Sequence, residues 1–580
     1  MDQERLAAVA AAWAEGDPDE KTASEVRALL AKKDWKELEE RFGASLEFGT
    51  AGLRGVLGGG TNRMNLAVVR RTAAGLAKYL KATVPDIAQR GVLIGRDGRH
   101  MSLEFTRESA MVFAAAGVPA HVFADVAPTP VTAFGLSQVG AAAAVMVTAS
   151  HNPPEYNGYK VYWSNGAQIV PPHDAGIAHA IDGIGPAKSV PLMDEATARS
   201  QGLWKDVPAQ VERTYLDAIL ALRPTKTTGD LSIVYTTMHG VGGRWVLAAL
   251  KEAGFTKVSP VTQQQEPDGD FPTVRFPNPE EKGAMDLSTA LAEQVKADVV
   301  LANDPDADRL AVMARDAQGA LRMLTGNEVG VLLGHFMLTQ VKTPQPLVVT
   351  TIVSSVQLKA IAAAKGARFE ETLTGFKWIA NRALELQPQG LRFVMGYEEA
   401  LGYTIGEVVR DKDGIGAALV LADMAAWCKA RGTTLLGYLE EIQREHGLFV
   451  ASQFNATLAG TSGAATIRAV MEAFRARPLT AIGTLQVEAM NDYQAQRRLE
   501  QQKTSRLTLP KSNVLAWELG GGHRVTLRPS GTEPKIKVYF EWREALSSGE
   551  PMAGARARAQ QRLSALETAF LVLARERGLP

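Results

Sequence analysis

The chain has 580 residues, 46% of them hydrophobic and 22% charged, which is the make-up of a globular protein long enough for about four domains. Lys plus Arg and Asp plus Glu both number 63, so the formal net charge is zero; this argues against a dedicated nucleic-acid or anionic-membrane surface, but allows a local positive pocket for one phosphorylated small molecule. The single cysteine, Cys428, excludes an intrachain disulfide, no uncharged apolar run approaches the roughly 20 residues of a membrane span, and Met1-Asp2-Gln3-Glu4-Arg5 carries acids where a signal peptide needs positive charge, so a cytoplasmic protein is expected.

The first forty residues are rich in Ala, Glu, Lys and Leu at helical spacing. Strand and helix patterns then alternate: a strand at 91–95, a helix at 102–116, a strand at 120–123, and an apolar run, Ala141 to Val147, that ends in Thr148-Ala149-Ser150-His151-Asn152-Pro153-Pro154. The pattern restarts near Leu231 with a strand at 232–236 and a helix at 245–253. A buried strand at 297–302 then feeds Asp304-Pro305-Asp306-Ala307-Asp308-Arg309, and a strand returns at 310–313. It restarts again near Asn327, with a strand at 347–353, a helix at 357–364, a strand at 391–395 running into Glu398-Glu399, and a helical pattern at 417–428 that places Cys428 in a core. The last section differs. Strands at 514–517 and 525–527 flank Gly520-Gly521-Gly522, a hairpin signal; a third strand at 536–542 follows Arg528-Pro529-Ser530-Gly531-Thr532, and a helix at 554–577 closes the chain. This alternation implies an α/β protein of four domains, at 1–218, 219–328, 329–446 and 447–580: three similar mixed α/β sheet domains and a C-terminal α+β domain.

Each section carries one special loop after a strand, where sites are built. In an extended loop Asp304, Asp306 and Asp308 point the same way, and three converging carboxylates need a hard divalent cation; oxygen-only ligands favour Mg2+. An EF-hand is excluded because the sixth position is Arg309 and the twelfth Arg315. Ser150 has no Gly-x-Ser-x-Gly elbow, and a Ser-His neighbour pair is poorly placed for an acyl-transfer triad. A phosphoryl carrier fits better, with Lys160, Arg309 and Arg54 as candidate partners for the phosphate and His151 as a contact or a loop cap. In the Arg528 loop a guanidinium fork, the Ser530 and Thr532 hydroxyls and the Gly531 backbone suit an anion; the chain has no nucleotide P-loop and no dinucleotide fingerprint. Glu398 and Glu399 can accept from vicinal sugar hydroxyls, with Tyr397 and Tyr403 available to stack on a ring.

These four motifs, in this order, resemble those of the α-D-phosphohexomutases, the phosphoglucomutase/phosphomannomutase superfamily, over nearly the whole chain. Phe48-Gly49-Thr50-Ala51-Gly52-Leu53-Arg54-Gly55, Asn157-Gly158-Tyr159-Lys160, Glu371 to Trp378 and Arg410-Asp411-Lys412-Asp413-Gly414 resemble its phosphoglucomutase/phosphopentomutase branch. The resemblance implies four domains around a central cleft, with Ser150 as the phosphoserine. Mg2+ would be held by Asp304, Asp306, Asp308 and the Ser150 phosphate, and Arg54, Lys160, Arg309 and His151 would stand around the transferred group. Thr374, Gly375, Glu398 and Lys412 would act on the substrate, and Arg528, Ser530, Gly531 and Thr532 would hold the phosphate that is not reacting. The implied activity is interconversion of glucose 1-phosphate and glucose 6-phosphate through a sugar 1,6-bisphosphate, which also serves as activator, in a monomer or homodimer. Many hexose mutases have a serine where Ala400 stands and a histidine near Tyr403; their lack is compatible with a pentose phosphate substrate, or with sugar-bisphosphate synthesis. A metal-dependent sugar phosphatase of the haloacid-dehalogenase kind is disfavoured, since Asp308 and Leu310 occupy the positions where Thr or Val is required. A non-catalytic sugar-phosphate sensor is disfavoured by the unbroken carrier serine, aspartates and Arg309.

Overall fold

The computed structural model describes residues 1–47, 52–458, 461–501, 503–530 and 535–579. The chain forms two compact units. One comprises Met1–Gly326, Phe393–Met395 and Leu401–Leu435; the other comprises Asn327–Arg392, Gly396–Ala400 and Leu436–Pro580.

The first unit opens with three helices, Gln3–Gly16, Glu20–Lys32 and Trp35–Phe42, which bury Leu6, Val26, Leu38 and Phe42 together. Each starts at an aspartate (Asp2, Asp19, Asp34) whose carboxylate accepts a backbone N–H of the first turn. A six-stranded mixed sheet follows, in the order 53–56, 156–163, 143–147, 92–96, 120–122, 204–206. Its two central strands, Val92–Arg96 and Ala143–Val147, are parallel and buried at every residue, and helices Ser102–Ala115 and Thr129–Gln138 both pack on Val92–Arg96. Three strands of this sheet are absent from the sequence analysis, at 53–56, 156–163 and 204–206, the second of them the longest. Tyr156–Trp163 pairs antiparallel with 143–147, Met146 opposite Lys160, and with Leu53–Val56, Arg54 opposite Gly158. Its polar Asn157 and Lys160 are buried with the apolar residues, so no polar-apolar alternation marks it.

A second, five-stranded sheet runs in the order 321–323, 311–315, 299–302, 232–236, 257–260, with 232–236 parallel to both its neighbours. The helix Gly414–Ala430 is almost wholly buried and is capped by Asp413, which accepts from the N–H groups of Ile415 and Gly416. Gly414 is tied to that place: a Cβ there would lie 2.2 Å from the carbonyl oxygen of Arg309. Further along the helix the fully buried Asp423 accepts from the Arg223 guanidinium (3.2 Å), the Thr225 N–H (3.0 Å) and the Thr225 hydroxyl (2.9 Å).

In the second unit the parallel pair Pro346–Thr351 and Arg368–Thr372 is the base of a third sheet. The C-terminal sheet is antiparallel, in the order 448–457, 535–544, 523–529, 515–519, 485–492, 497–500, 503–506. Helices Thr461–Ala476 and Met552–Arg575 pack on its strand Lys535–Glu544, and in its core Phe474 stacks on Phe570 while Trp517 packs tilted against both, with ring centroids 5.3–5.5 Å apart. Leu519 pairs with His523 across Gly520-Gly521-Gly522, the expected hairpin. Arg528 lies inside a strand, opposite Lys537, where a loop had been expected.

Asp423→Ala leaves the buried Arg223 guanidinium without its carboxylate, so the variant is expected to lose about 3–5 kcal/mol of stability. Calorimetry should show its first unfolding transition several degrees below that of the wild type.

Candidate active site

The strand Ala143–Val147 delivers the chain to Ser150, whose φ of +53° is left-handed, a conformation costly for a residue with a Cβ. Two groups hold it there. The Thr148 hydroxyl accepts the Ser150 N–H at 2.8 Å. The buried Arg99 guanidinium donates to the carbonyls of Ser150 (2.6 Å), Asn152, Pro153 (2.8 Å) and Tyr156 (3.2 Å), while Asp97 lies 3.3 Å from its Nε. Arg99 thus stitches the whole loop together. The sequence analysis assigns no role to Arg99, which lies in Arg96-Asp97-Gly98-Arg99 between the strand expected at 91–95 and the helix expected at 102–116. The product of this bracing is an aimed hydroxyl: Ser150 Oγ donates to Asp304 Oδ2 at 2.7 Å and lies 3.3 Å from His151 Nδ1. Burial, reinforced by Arg309 and Arg54, holds the His151 imidazole well below its usual range, hence neutral.

The three aspartates converge, but by a turn. Ala307 has a φ of +56° and its N–H donates back to the Asp304 carbonyl at 2.9 Å, so the segment is not the extended loop expected of it. Asp304, Asp306 and Asp308 are fully buried, and one oxygen from each lies within 4.8 Å of the others. Lys160 Nζ reaches both Asp306 Oδ2 and Asp308 Oδ2 at 2.8 Å, Lys412 Nζ reaches Asp308 Oδ2 at 3.1 Å, and the Thr129 hydroxyl donates to Asp306 at 2.6 Å. Arg309 Nε lies 4.0 Å from both Asp304 and Asp308, and its backbone N–H donates to Asp304 Oδ1 at 3.0 Å. Arg54 donates to the Asn152 side chain at 2.8 Å; burial, with Arg309 nearby, pushes its guanidinium down to about 10.

The electrostatics separate the three acids. Burial and the charges of Asp306 and Asp308 push Asp304 well above the usual carboxylate range. Burial also raises Asp308, but Lys160, Lys412 and Arg309 outweigh it and hold that carboxyl below its ordinary value. Asp306 is likewise lowered, by Lys160 against both burial and Asp308. Burial disfavours the Lys160 ammonium, yet Asp306, Asp308 and Asp411 overcome this and hold it above its ordinary value. In this arrangement Lys160 keeps its proton.

The donor set suits a hard divalent cation. Asp306 Oδ1 and Asp308 Oδ1 are buried and have no hydrogen-bond partner among the described residues, so each leaves an oxygen available beside Asp304. Mg2+ is therefore expected to raise the melting temperature of the wild-type protein, and Asp308→Asn to abolish the increase. Mn2+ electron paramagnetic resonance on both proteins gives the affinities, with a loss of at least about tenfold expected.

In the second unit, Glu398 ends the strand Arg392–Glu398, and its Oε1 accepts the backbone N–H of Gly375 at 2.7 Å. Gly375 has a φ of +112° and follows Thr374 at the start of the helix Phe376–Leu386, so these three predicted residues are neighbours. Glu399 accepts from the Ser354 hydroxyl at 3.3 Å and its N–H donates to the same oxygen at 3.2 Å. The tyrosines do not stack on a ligand. Tyr397 and Tyr403 are both fully buried, their hydroxyls donating to the carbonyls of Ser355 and Gly326 at 3.2 Å each. Lys412 stands on the acidic triad through Asp308. Ser530 donates its N–H to the Lys535 carbonyl at 2.6 Å, next to Arg528; Gly531 and Thr532 lie outside the described residues.

Four family models match the chain. They are those of phosphoglucomutase/phosphomannomutase α/β/α domains I, II and III, at residues 45–187, 213–319 and 325–445, and of the C-terminal domain, at 479–546. Among similar proteins are the human phosphopentomutase, 37% identical over 93% of this chain and 91% of its own length, and the phosphoglucomutase of Staphylococcus epidermidis, 37% identical over 87% and 92%. The phosphoribomutase of Saccharomyces cerevisiae is 36% identical over 91% of each. The fold is shared with the open form of parafusin, an exocytosis-sensitive phosphoprotein and phosphoglucomutase of Paramecium (TM-score 0.66, 20% identity, 92% of this chain and 96% of that one). With four matching domains in order and relatives this similar along most of their length, the chain belongs to the phosphoglucomutase/phosphomannomutase family.

Proposed function

We propose that this protein is a phosphosugar mutase that moves a phosphoryl group between the 1- and 6-positions of glucose phosphate, with Ser150 as the carrier. The observation that carries this reading is the braced Ser150 hydroxyl donating to Asp304 within a buried triad of carboxylates. Relatives with mutase names across the length of the chain support it. The domain limits 1–218, 219–328, 329–446 and 447–580 are part of the same reading.

In the first half-reaction the bond between phosphorus and Ser150 Oγ breaks, and a bond forms to the free sugar hydroxyl, giving a bisphosphate. The hydroxyl proton leaves to a base and is passed on to the leaving Ser150 Oγ, so Ser150 is regained as the alcohol. In the second half the bisphosphate, turned end for end, returns its other phosphoryl group to Ser150. Asp304, Asp306 and Asp308 would hold a Mg2+ ion, which when bound would supply positive charge to the phosphoryl oxygens. The chain's own groups do the rest. Arg99 and Thr148 keep Ser150 aimed, and Arg54 and Arg309 supply fixed positive charge near the transferred group. Neutral His151 sits beside the carrier oxygen. Lys160, the expected base, serves as one only when Asp306 and Asp308 no longer hold its ammonium; otherwise it contributes charge. Glu398 with Thr374 and Gly375 binds sugar hydroxyls, and Arg528, Ser530, Gly531 and Thr532 bind the distant phosphate. A sugar 1,6-bisphosphate primes Ser150.

A pentose phosphate is the second reading. Ala400 offers no hydroxyl, Tyr403 has its own hydroxyl on the Gly326 carbonyl, and relatives named phosphopentomutase and phosphoribomutase match over most of the chain.

Incubation with glucose 1,6-bisphosphate is expected to phosphorylate Ser150, seen by peptide mass spectrometry, and Ser150→Ala to lower turnover by roughly 10³-fold or more. A Ser150→Ala enzyme with full turnover excludes the carrier mechanism. Initial rates on glucose and ribose 1-phosphates decide the sugar. Ala400→Ser is expected to raise kcat/KM for the hexose over the pentose by roughly 2- to 10-fold, the value of one added hydrogen bond.

A further inference from the structure

The second unit contains a set of metal-binding side chains that the proposed reaction does not use. His335 lies on the helix Gly326–Gln340, and Glu445 and His446 end the helix Leu435–His446. One donor atom from each of the three lies within 4.8 Å of the others. Both histidines are more than nine-tenths buried, His335 at 6% exposure and His446 at 8%. Among the described residues, their Nε2 atoms have no hydrogen-bond partner and are buried. Two buried ring nitrogens left without a hydrogen bond in one such cluster call for an occupant, since buried polar atoms left unmatched are rare.

The surroundings suit a cation. His335 Nδ1 lies 2.6 Å from the Tyr438 hydroxyl. With the proton on Nδ1 donated to that oxygen, the Nε2 lone pair is left to bind, the arrangement that outer partners impose on metal-ligating imidazoles. Glu445 Oε1 lies 3.3 Å from His446 Nε2. Two ligands each about 2.0–2.1 Å from a tetrahedral zinc ion are separated by roughly that distance. Glu445 has 58% of its side chain exposed, which gives an ion a route in from solvent. One group competes: the Lys365 ammonium lies 3.9 Å from Glu445 Oε1.

We propose that His335, Glu445 and His446 form a binding site for a divalent transition metal ion, zinc by its donor preference, that clamps the helix Gly326–Gln340 to the helix Leu435–His446. Imidazole nitrogen with one carboxylate selects zinc and its neighbours in the series over Mg2+, which keeps this site chemically separate from the all-carboxylate triad.

The test uses the full-length protein, stripped with chelator and then held in saturating Mg2+ so that the aspartate triad is occupied. Titration with Co2+, a coloured stand-in for zinc, is expected to load one ion per chain with the strong visible absorption of a four-coordinate centre. Glu445→Gln, at an exposed position that does not threaten folding, is expected to weaken binding by roughly tenfold or more, and His446→Gln to abolish it. Lys365→Met, which removes the competing ammonium, is expected to tighten it. Asp308→Asn is expected to leave it unchanged, which separates this site from the carrier chemistry. Zinc is expected to raise the melting temperature of the wild type, and not of His446→Gln. No Co2+ uptake by the wild type, uptake lost in Asp308→Asn, or uptake unaltered in both Glu445→Gln and His446→Gln overturns the proposal; the first of these would mean that the two imidazoles share a trapped water.

Discussion

The structure of the first unit turns on the neutralisation of three buried carboxylates. Asp304, Asp306 and Asp308 are buried away from bulk solvent, and an uncompensated charge there costs several kcal/mol. Lys160 bridges two of them, Lys412 adds to one, and Ser150 supplies a hydroxyl to the third. These partners come from distant parts of the chain. Lys160 is carried by a strand of the first sheet, the aspartates by the turn after a strand of the second, and Lys412 by the segment before a buried helix. The first sheet, the second sheet and that helix are therefore bound at one point by charge. The same point presents inward-facing carboxylate oxygens to an ion, so what holds these elements together is also what equips the site.

A second constraint is steric. Ser150 and Ala307 both adopt left-handed backbone, and each sits where a strand hands over to a functional loop. Strain of this kind survives only when surrounding groups enforce it. At Ser150 the enforcing group is Arg99, which spends its donors on loop carbonyls; at Ala307 it is the bond back to the Asp304 carbonyl. A positively charged side chain is thereby committed to shape, while Arg54 and Arg309 lie near the aspartates as charge. Sorting the arginines this way was impossible from residue type alone.

The strands that carry the loops were legible because they are short apolar runs bounded by turn residues. Ser232–Thr236 and the helix Gln357–Ala364 appear with the expected limits, and the Gly520-Gly521-Gly522 hairpin closes as expected. Tyr156–Trp163 was not legible, because a strand buried on both faces and carrying Lys160 and Asn157 has no two-residue rhythm. The tyrosines beside Glu398 were misread for a related reason. An aromatic residue next to a glycine and an acid looks the same in sequence whether it faces a ligand or the core, and Tyr397 and Tyr403 face the core. His335 and His446 carried no signal at all, being more than a hundred residues apart and lacking any metal-ligand spacing.

Sequence alone determined the order of the motifs, the type of the elements that bear them and the chemical nature of the groups on offer: a hydroxyl, three carboxylates, a set of cations. Those are local properties, set by residue type and by spacing over a few positions. Only the tertiary structure decided the pairing, namely that Ser150 meets Asp304 across 154 residues and Lys160 meets Asp306 and Asp308 across 146 and 148. It also decided protonation, since the sign of each carboxyl's shift depends on burial and on which ammonium lies within a few ångströms. Such distances are fixed by the packing of whole sheets and helices, and no stretch of a single strand contains them.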